Sequence, residues 1–134
     1  MMKYQTTNHC KYLCQYHIIF CPKFRFSVLN GKIEIEIKKI INNISSKYKH
    51  DIVELEIVED HIHLLIKIKP TVAPMDIVRV YKSILTVELF NKFDYLKKFY
   101  GKCGCLWSLG KFISTVGIVD EKTIKKYIQN QKNL

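Results

Sequence analysis

Residues 52–68 read IVELEIVEDHIHLLIKI, and the alternation in this stretch decides the fold. In 52–58, Val53, Leu55 and Ile57 fall on one side while Glu54, Glu56 and Val58 fall on the other. In 61–68, Ile62, Leu64, Ile66 and Ile68 alternate with His61, His63, Leu65 and Lys67. A period of two is the period of a strand, whose successive side chains point to opposite faces. Only Glu59-Asp60 separates the two runs, so they pair as an antiparallel hairpin.

Upstream, residues 32–49 carry Ile33, Ile37, Ile40, Ile41, Ile44 and Tyr48 at helical spacing, entered after Asn30-Gly31. The opening Ile-Glu-Ile-Glu-Ile also alternates, so its first turn fits a strand as well. Further back, residues 12–21 (YLCQYHIIFC) are rich in aromatic and β-branched types and stop at Pro22, which predicts a strand. Lys23-Phe24-Arg25-Phe26 then forms a basic, aromatic loop. Downstream, residues 74–93 place Ile77, Val80, Tyr81, Ile84, Leu85 and Leu89 on one helical face. A Gly- and Lys-rich loop holding Trp107 follows. Residues 111–117 read as a short strand, and Asp120 caps a last helix from 121 to about 131. The order β-α-β-β-α-β-α begins with the split βαβ of a ferredoxin-like, RRM-like α+β fold. It predicts a four-stranded antiparallel sheet backed by two helices, plus an extra C-terminal helix.

The chain has 134 residues, a length that fits one domain, taken as residues 1–134 with 120–134 as the C-terminal helix. Apolar residues make up 48% and mean hydropathy is near zero, which excludes a disordered chain. No apolar run approaches the ~18–20 residues of a membrane span, and MMKYQTTNHC lacks a secretory h-region, so a cytoplasmic, membrane-free protein is expected. Net charge is +10, and residues 92–134 carry nine lysines against Asp94, Asp120 and Glu121. Residues 51–60 reverse this, with five carboxylates and no base. A polyanionic partner and a local cation site would give this pattern; genomic enrichment in lysine would give the charge too. The five cysteines, an odd number, do not read as a disulfide framework. Cys10, Cys14, Cys103 and Cys105 could together bind zinc, but bystander thiols are the expectation.

Two features carry chemistry. His61 and His63, two apart on a strand, put both imidazoles on one sheet face while Ile62 enters the core. Two imidazoles are too few for a closed structural zinc site, but an open site with free positions suits metal-assisted phosphoryl chemistry. On the last helix, Tyr127 and Gln131 lie four apart, hence on one face. A tyrosine attacking a phosphodiester forms a covalent phosphotyrosine that stores the bond for a joining step. Gln131 offers an amide oxygen as a third metal ligand, and Lys125 and Lys126 would sit near backbone phosphates. The bland alternatives are a pair of surface histidines and a half-buried packing tyrosine.

The chain resembles the single-tyrosine HUH transposases, the TnpA-type enzymes of the smallest insertion sequences. Four blocks carry the resemblance: residues 16–25 (YHIIFCPKFR), 59–65 (EDHIHLL), Leu106-Trp107-Ser108 with Gly110, Phe112 and 114–117 (STVG), and 127–131 (YIQNQ). It implies cleavage of single-stranded DNA at hairpin-bearing element ends, with the 5′ phosphate left on Tyr127 and a free 3′ hydroxyl. It implies magnesium or manganese on His61, His63 and Gln131, no nucleotide cofactor, and a homodimer whose subunits share active sites. A cytoplasmic enzyme associated with the nucleoid when acting would follow. Residues 79–90 (RVYKSILTVELF) depart from relatives, which often have a more basic helix here, although Lys82 is kept. Lys23, Arg25, Lys82, Lys111, Lys125 and Lys126 are the candidate DNA contacts. Trp107 reads as a core or interface anchor and His17 as a packed residue. The rival readings are an RRM-like nucleic-acid-binding protein and a domesticated nuclease acting on hairpin repeats; the first would need aromatic residues where His61 and His63 stand.

Overall fold

The computed structural model describes residues 4–7, 10–116 and 129. Its main sheet contains β3 (Cys14–Pro22), β4 (Asp51–Val58), β5 (His61–Ile68) and β6 (Trp107–Thr115), in the order β4-β5-β3-β6 with every neighbour antiparallel. Helices α1 (Gly31–Tyr48) and α2 (Pro74–Lys92) supply the crossovers, so the ferredoxin-like α+β architecture is the one observed. A hairpin of β1 (Gln5–Thr7) and β2 (Cys10–Tyr12) precedes the sheet, and a short helix α3 (Asp94–Tyr100) follows α2.

The ambiguous start of α1 is resolved by packing. Ile33 and Ile37, one helical turn apart, are both buried, whereas Ile35 between them is exposed. Helix α1 ends where Lys49 turns left-handed and its N–H donates to the Ser45 carbonyl. Helix α2 begins with Pro74 in the first turn, where a missing N–H costs nothing. Both helices press on one face of the sheet: Ile33, Ile37, Ile41, Tyr81, Leu85 and Leu89 form one cluster with Ile18, Phe20, Ile62 and Leu64. Each fully buried side chain of this size contributes ~1.5–3 kcal/mol relative to exposure.

Three sequence expectations change. Strict alternation puts Val53 on the same face as Leu55 and Ile57, but the register shifts between Ile52 and Glu54, and Val53 packs with Leu65 and Val116 in a second small cluster. A bulge places two residues opposite one and so breaks the alternation. The last strand starts at Trp107 rather than 111 and ends at Thr115. The loop expected after α2 contains α3, which turns Leu96 and Tyr100 inward; the Tyr100 hydroxyl donates to the Lys23 carbonyl at 3.2 Å. Trp107 is a core anchor, its ring meeting Phe20 edge-on with centroids 4.9 Å apart. The helix expected over 121–131 and its Asp120 cap lie outside the described residues, apart from Gln129.

Candidate functional site

Pairing along β5 fixes where the histidines stand. Ile62 is buried in the helix-backed core, so His61 and His63 belong to the opposite face of the sheet. Their rings lie edge to face with centroids 4.5 Å apart. His63 sits across from Glu56 on β4 and Ile19 on β3. His17, from β3, stacks on His63 at 5.8 Å with the planes inclined by only 15°. Three imidazoles and a carboxylate-bearing strand therefore converge on one patch.

The two histidines differ in a way that suits metal ligation. His61 Nδ1 lies 2.5 Å from Asp60 Oδ1, an arrangement that fixes the ring and leaves Nε2 for another partner. His63 is only 2% exposed, and neither of its ring nitrogens has a hydrogen-bond partner among the described residues. Burial, and then the neighbouring His61 and His17 rings, push its pKa down to about 4, against a smaller upward pull from Asp60. His63 is thus neutral at physiological pH, with a lone pair that no described protein group uses. Burial lowers the pKa of His17 as well. A buried imidazole with both nitrogens orphaned is costly unless something completes it, so the donor set fits a divalent ion bound by two imidazoles. Among the described residues no group of three or more His, Cys, Asp or Glu is arranged to hold a metal, which leaves further ligands to other donors. The expected ones, Tyr127 and Gln131, lie outside the described residues, as do Lys125 and Lys126.

The remaining cations gather elsewhere. Lys23, Lys82 and Lys111 line a cleft of about 550 Å³ between α2 and β6, together with Trp107, Ser108 and Arg79. Lys111 pairs in register with Phe20, a core residue, and so belongs to the helix side of the sheet. The basic cleft and the histidines are on opposite faces. Lys82 donates from Nζ to the Ser108 carbonyl at 2.8 Å and ties α2 to β6; burial, then repulsion from Lys111, lowers its pKa. Arg25 lies in the 3₁₀ turn Lys23–Arg25, with only its backbone described. Sequence reasoning missed Arg79 as a cleft residue, although its place three residues before Lys82, on the same helical face, was a signal in the sequence. It also gave Asp60 only a general electrostatic role, when adjacency to His61 across a tight turn could have suggested an orienting one. No helix among the described residues is long and apolar enough to cross a membrane.

A small antiparallel sheet carrying a paired-histidine patch on one face and a basic cleft on the other has the features that a nucleic-acid-processing protein needs. Residues 10–131 match the family described as IS200-like transposases, and the chain belongs to that family of DNA-cleaving and rejoining enzymes. It is 33% identical over 121 residues to the ISDra2 transposase TnpA of Deinococcus radiodurans, covering 90% of this chain and 85% of that one. Identity to the transposase for insertion sequence element IS200 of Salmonella typhimurium is 30% over 123 residues, covering 92% and 80%. Among solved structures, a crystal structure of a transposase from Deinococcus radiodurans superposes with a TM-score of 0.77 at 29% identity, covering 95% and 97%. A REP-associated tyrosine transposase bound to a REP hairpin shares the fold, with a TM-score of 0.63 at 12% identity, covering 98% and 72%.

Proposed function

We propose that this transposase cleaves and rejoins single-stranded DNA at hairpin-bearing ends, through Tyr127 and a divalent ion held by His61, His63 and Gln131. The observation that carries the reading is the buried, neutral His63, whose two ring nitrogens find no partner among the described residues, beside a His61 oriented by Asp60. A bound magnesium or manganese ion supplies Lewis-acid polarisation of a phosphate oxygen. The chain's own residues do the rest. Asp60 holds His61 in one orientation, and His63 offers its lone pair without first losing a proton. The Tyr127 phenol gives up its proton to solvent water, which returns one to the departing 3′ oxygen, and the phenolate oxygen attacks the phosphorus. The bond to the 3′ oxygen breaks, leaving a 5′ phosphotyrosine and a free 3′ hydroxyl that can attack in the reverse sense to rejoin strands. The reference pKa of a phenol, ~10, means that nearby cations must stabilise the phenolate; Lys125 and Lys126, next to Tyr127 in sequence, are assigned to this and to phosphate contact.

Lys23, Arg25, Lys82 and Lys111 are assigned to phosphate contacts with the substrate. The related fold with a REP hairpin bound supports a hairpin ligand. A homodimer with shared active sites is part of the proposal: β6 is an outer strand, and it exposes Leu109 (92%) and Phe112, an apolar edge of the sort that a second copy covers. No nucleotide cofactor enters the reaction.

Incubation with hairpin-bearing single-stranded DNA and manganese should yield a protein–DNA adduct that survives SDS. Tyr127→Phe should abolish the adduct and leave DNA binding nearly intact; an adduct that persists removes Tyr127 as nucleophile. His61→Ala and His63→Ala should each eliminate manganese-dependent cleavage, and unchanged rates in both would refute the metal assignment.

A further inference from the structure

Beyond the histidines and the basic cleft, the described surface holds one concentrated patch of exposed aromatic rings. Phe24 (64% exposed), Phe26 and Phe99 (58%) come from the turn after β3 and from α3. Their rings form a chain: Phe24 to Phe26 at 5.7 Å, Phe26 to Phe99 at 5.3 Å, and Phe99 to the buried Tyr100 at 4.9 Å. Tyr100 fastens the patch to the fold through its hydrogen bond to Lys23. Phe24 has a left-handed backbone, φ 65° and ψ 5°, a conformation that a side chain with a Cβ rarely adopts. Folding thus spends backbone strain to hold a large apolar ring in water, a combination more common at functional surfaces than elsewhere.

The surroundings specify the occupant. Lys23 lies in the same turn, Lys98, which pairs with Asp94 at 3.7 Å, is next to Phe99 in sequence, and Lys102 follows Phe99 by three residues, so cations flank the rings along the chain. The patch also sits at a defined end of the sheet. Phe20 pairs with Ile62, so the end of β3 that runs into the turn is the His61 end of β5. Leu29 N–H donates to the Glu59 carbonyl at 2.8 Å, which keeps the segment after the turn against the hairpin that presents His61.

We infer that Phe24, Phe26 and Phe99 form a stacking platform for the unpaired bases of single-stranded DNA, with the flanking lysines holding the backbone. Aromatic faces interleaved with cations suit unpaired nucleotides, because every base has a face to stack and every linkage carries a negative charge. A strand lying on the platform is positioned at the histidine end of the sheet. The assignment rests on the proposed single-stranded DNA substrate, and its test is separable from that of cleavage.

The probe is a DNA hairpin with a single-stranded extension in which 2-aminopurine replaces one base at a time, added to the full-length protein with manganese. Stacking should quench the 2-aminopurine at one or more extension positions. Phe26→Leu with Phe99→Leu keeps the apolar bulk but removes the ring faces. It should abolish the quenching and weaken binding of the extended hairpin about tenfold, leaving blunt-hairpin affinity and melting temperature unchanged. Phe24→Asn, which takes the left-handed backbone readily, should give the same selective loss and serves if the double variant melts early. Unchanged quenching and affinity in these variants would overturn the platform. So would equal losses on blunt and extended hairpins, or a sedimentation profile showing that the variants lose self-association instead. If no SDS-resistant adduct forms yet quenching persists in the wild type, the platform stands and the cleavage reading fails. If the adduct forms without ring-dependent quenching, cleavage stands and the platform fails.

Discussion

Asp60 offers the sharpest probe of how the histidine pair is prepared. Replacing it with alanine removes the carboxylate that lies 2.5 Å from His61 Nδ1 and frees the ring to rotate away from the position in which it can ligate. Hydrogen bonds to charged groups contribute ~1.5–3 kcal/mol. The Asp60 side chain is 31% exposed, so solvent screens the pair and the lower end applies. About 1.4 kcal/mol is tenfold in a binding constant, which agrees with the ~10–100-fold typically lost when the partner of a metal-bound histidine is removed. The assay is manganese titration of single-strand cleavage. Asp60→Ala should raise the half-saturating manganese concentration roughly tenfold, while the rate at saturating metal changes little. Asp60→Asn retains an acceptor oxygen without the charge and should fall between, since a neutral hydrogen bond has about half the strength. An unchanged half-saturation in Asp60→Ala, or a lost rate that excess manganese fails to restore, would refute the orienting role.

Three further outcomes are expected. Lys111→Ala should weaken binding of hairpin DNA without regard to sequence and lower the slope of log affinity against log salt by about 1; an unchanged slope would take Lys111 out of the phosphate contacts. Leu85 is fully buried between the sheet and both helices, so Leu85→Ala should cost ~2–5 kcal/mol in urea unfolding, and a loss below that range would mean the core there relaxes to fill the gap. In EDTA, stability should fall with pH. His63, His17 and His50 all have folded-state pKa values held below 6.5 by burial, so the unfolded chain binds more protons in acid. The stability they contribute is complete above pH ~6.5 and is lost on acidification toward the folded value of about 4 for His63; a melting temperature that stays level from pH 7 to 5 would contradict their buried, neutral state.

Much of this protein was legible before folding. Period-two alternation in residues 52–68 specified two strands, a tight turn and the side of the sheet on which His61 and His63 stand, because strand geometry leaves side chains no other choice. Helical spacing located α1 and α2 to within a residue or so at each end. What local pattern could not settle was decided by contacts between distant segments. Residues 94–100 form a helix because Leu96 and Tyr100 find a buried site, although seven residues alone are too few to sustain one. Gly110 lies inside β6 at the register shift between the Phe20–Lys111 and Pro22–Trp107 pairs, so a glycine that by itself signals a turn marks an irregularity in the strand instead. Strand register, set by the whole sheet, brings His17 onto His63, and a bulge carries Val53 across to Leu65. Composition supplied the phenylalanines and lysines at 23–26 and 97–102, but their meeting at one end of the sheet belongs to the tertiary structure alone. A sequence determines which groups are available and their local periodicity; only closure of the chain over long separations decides which of them touch.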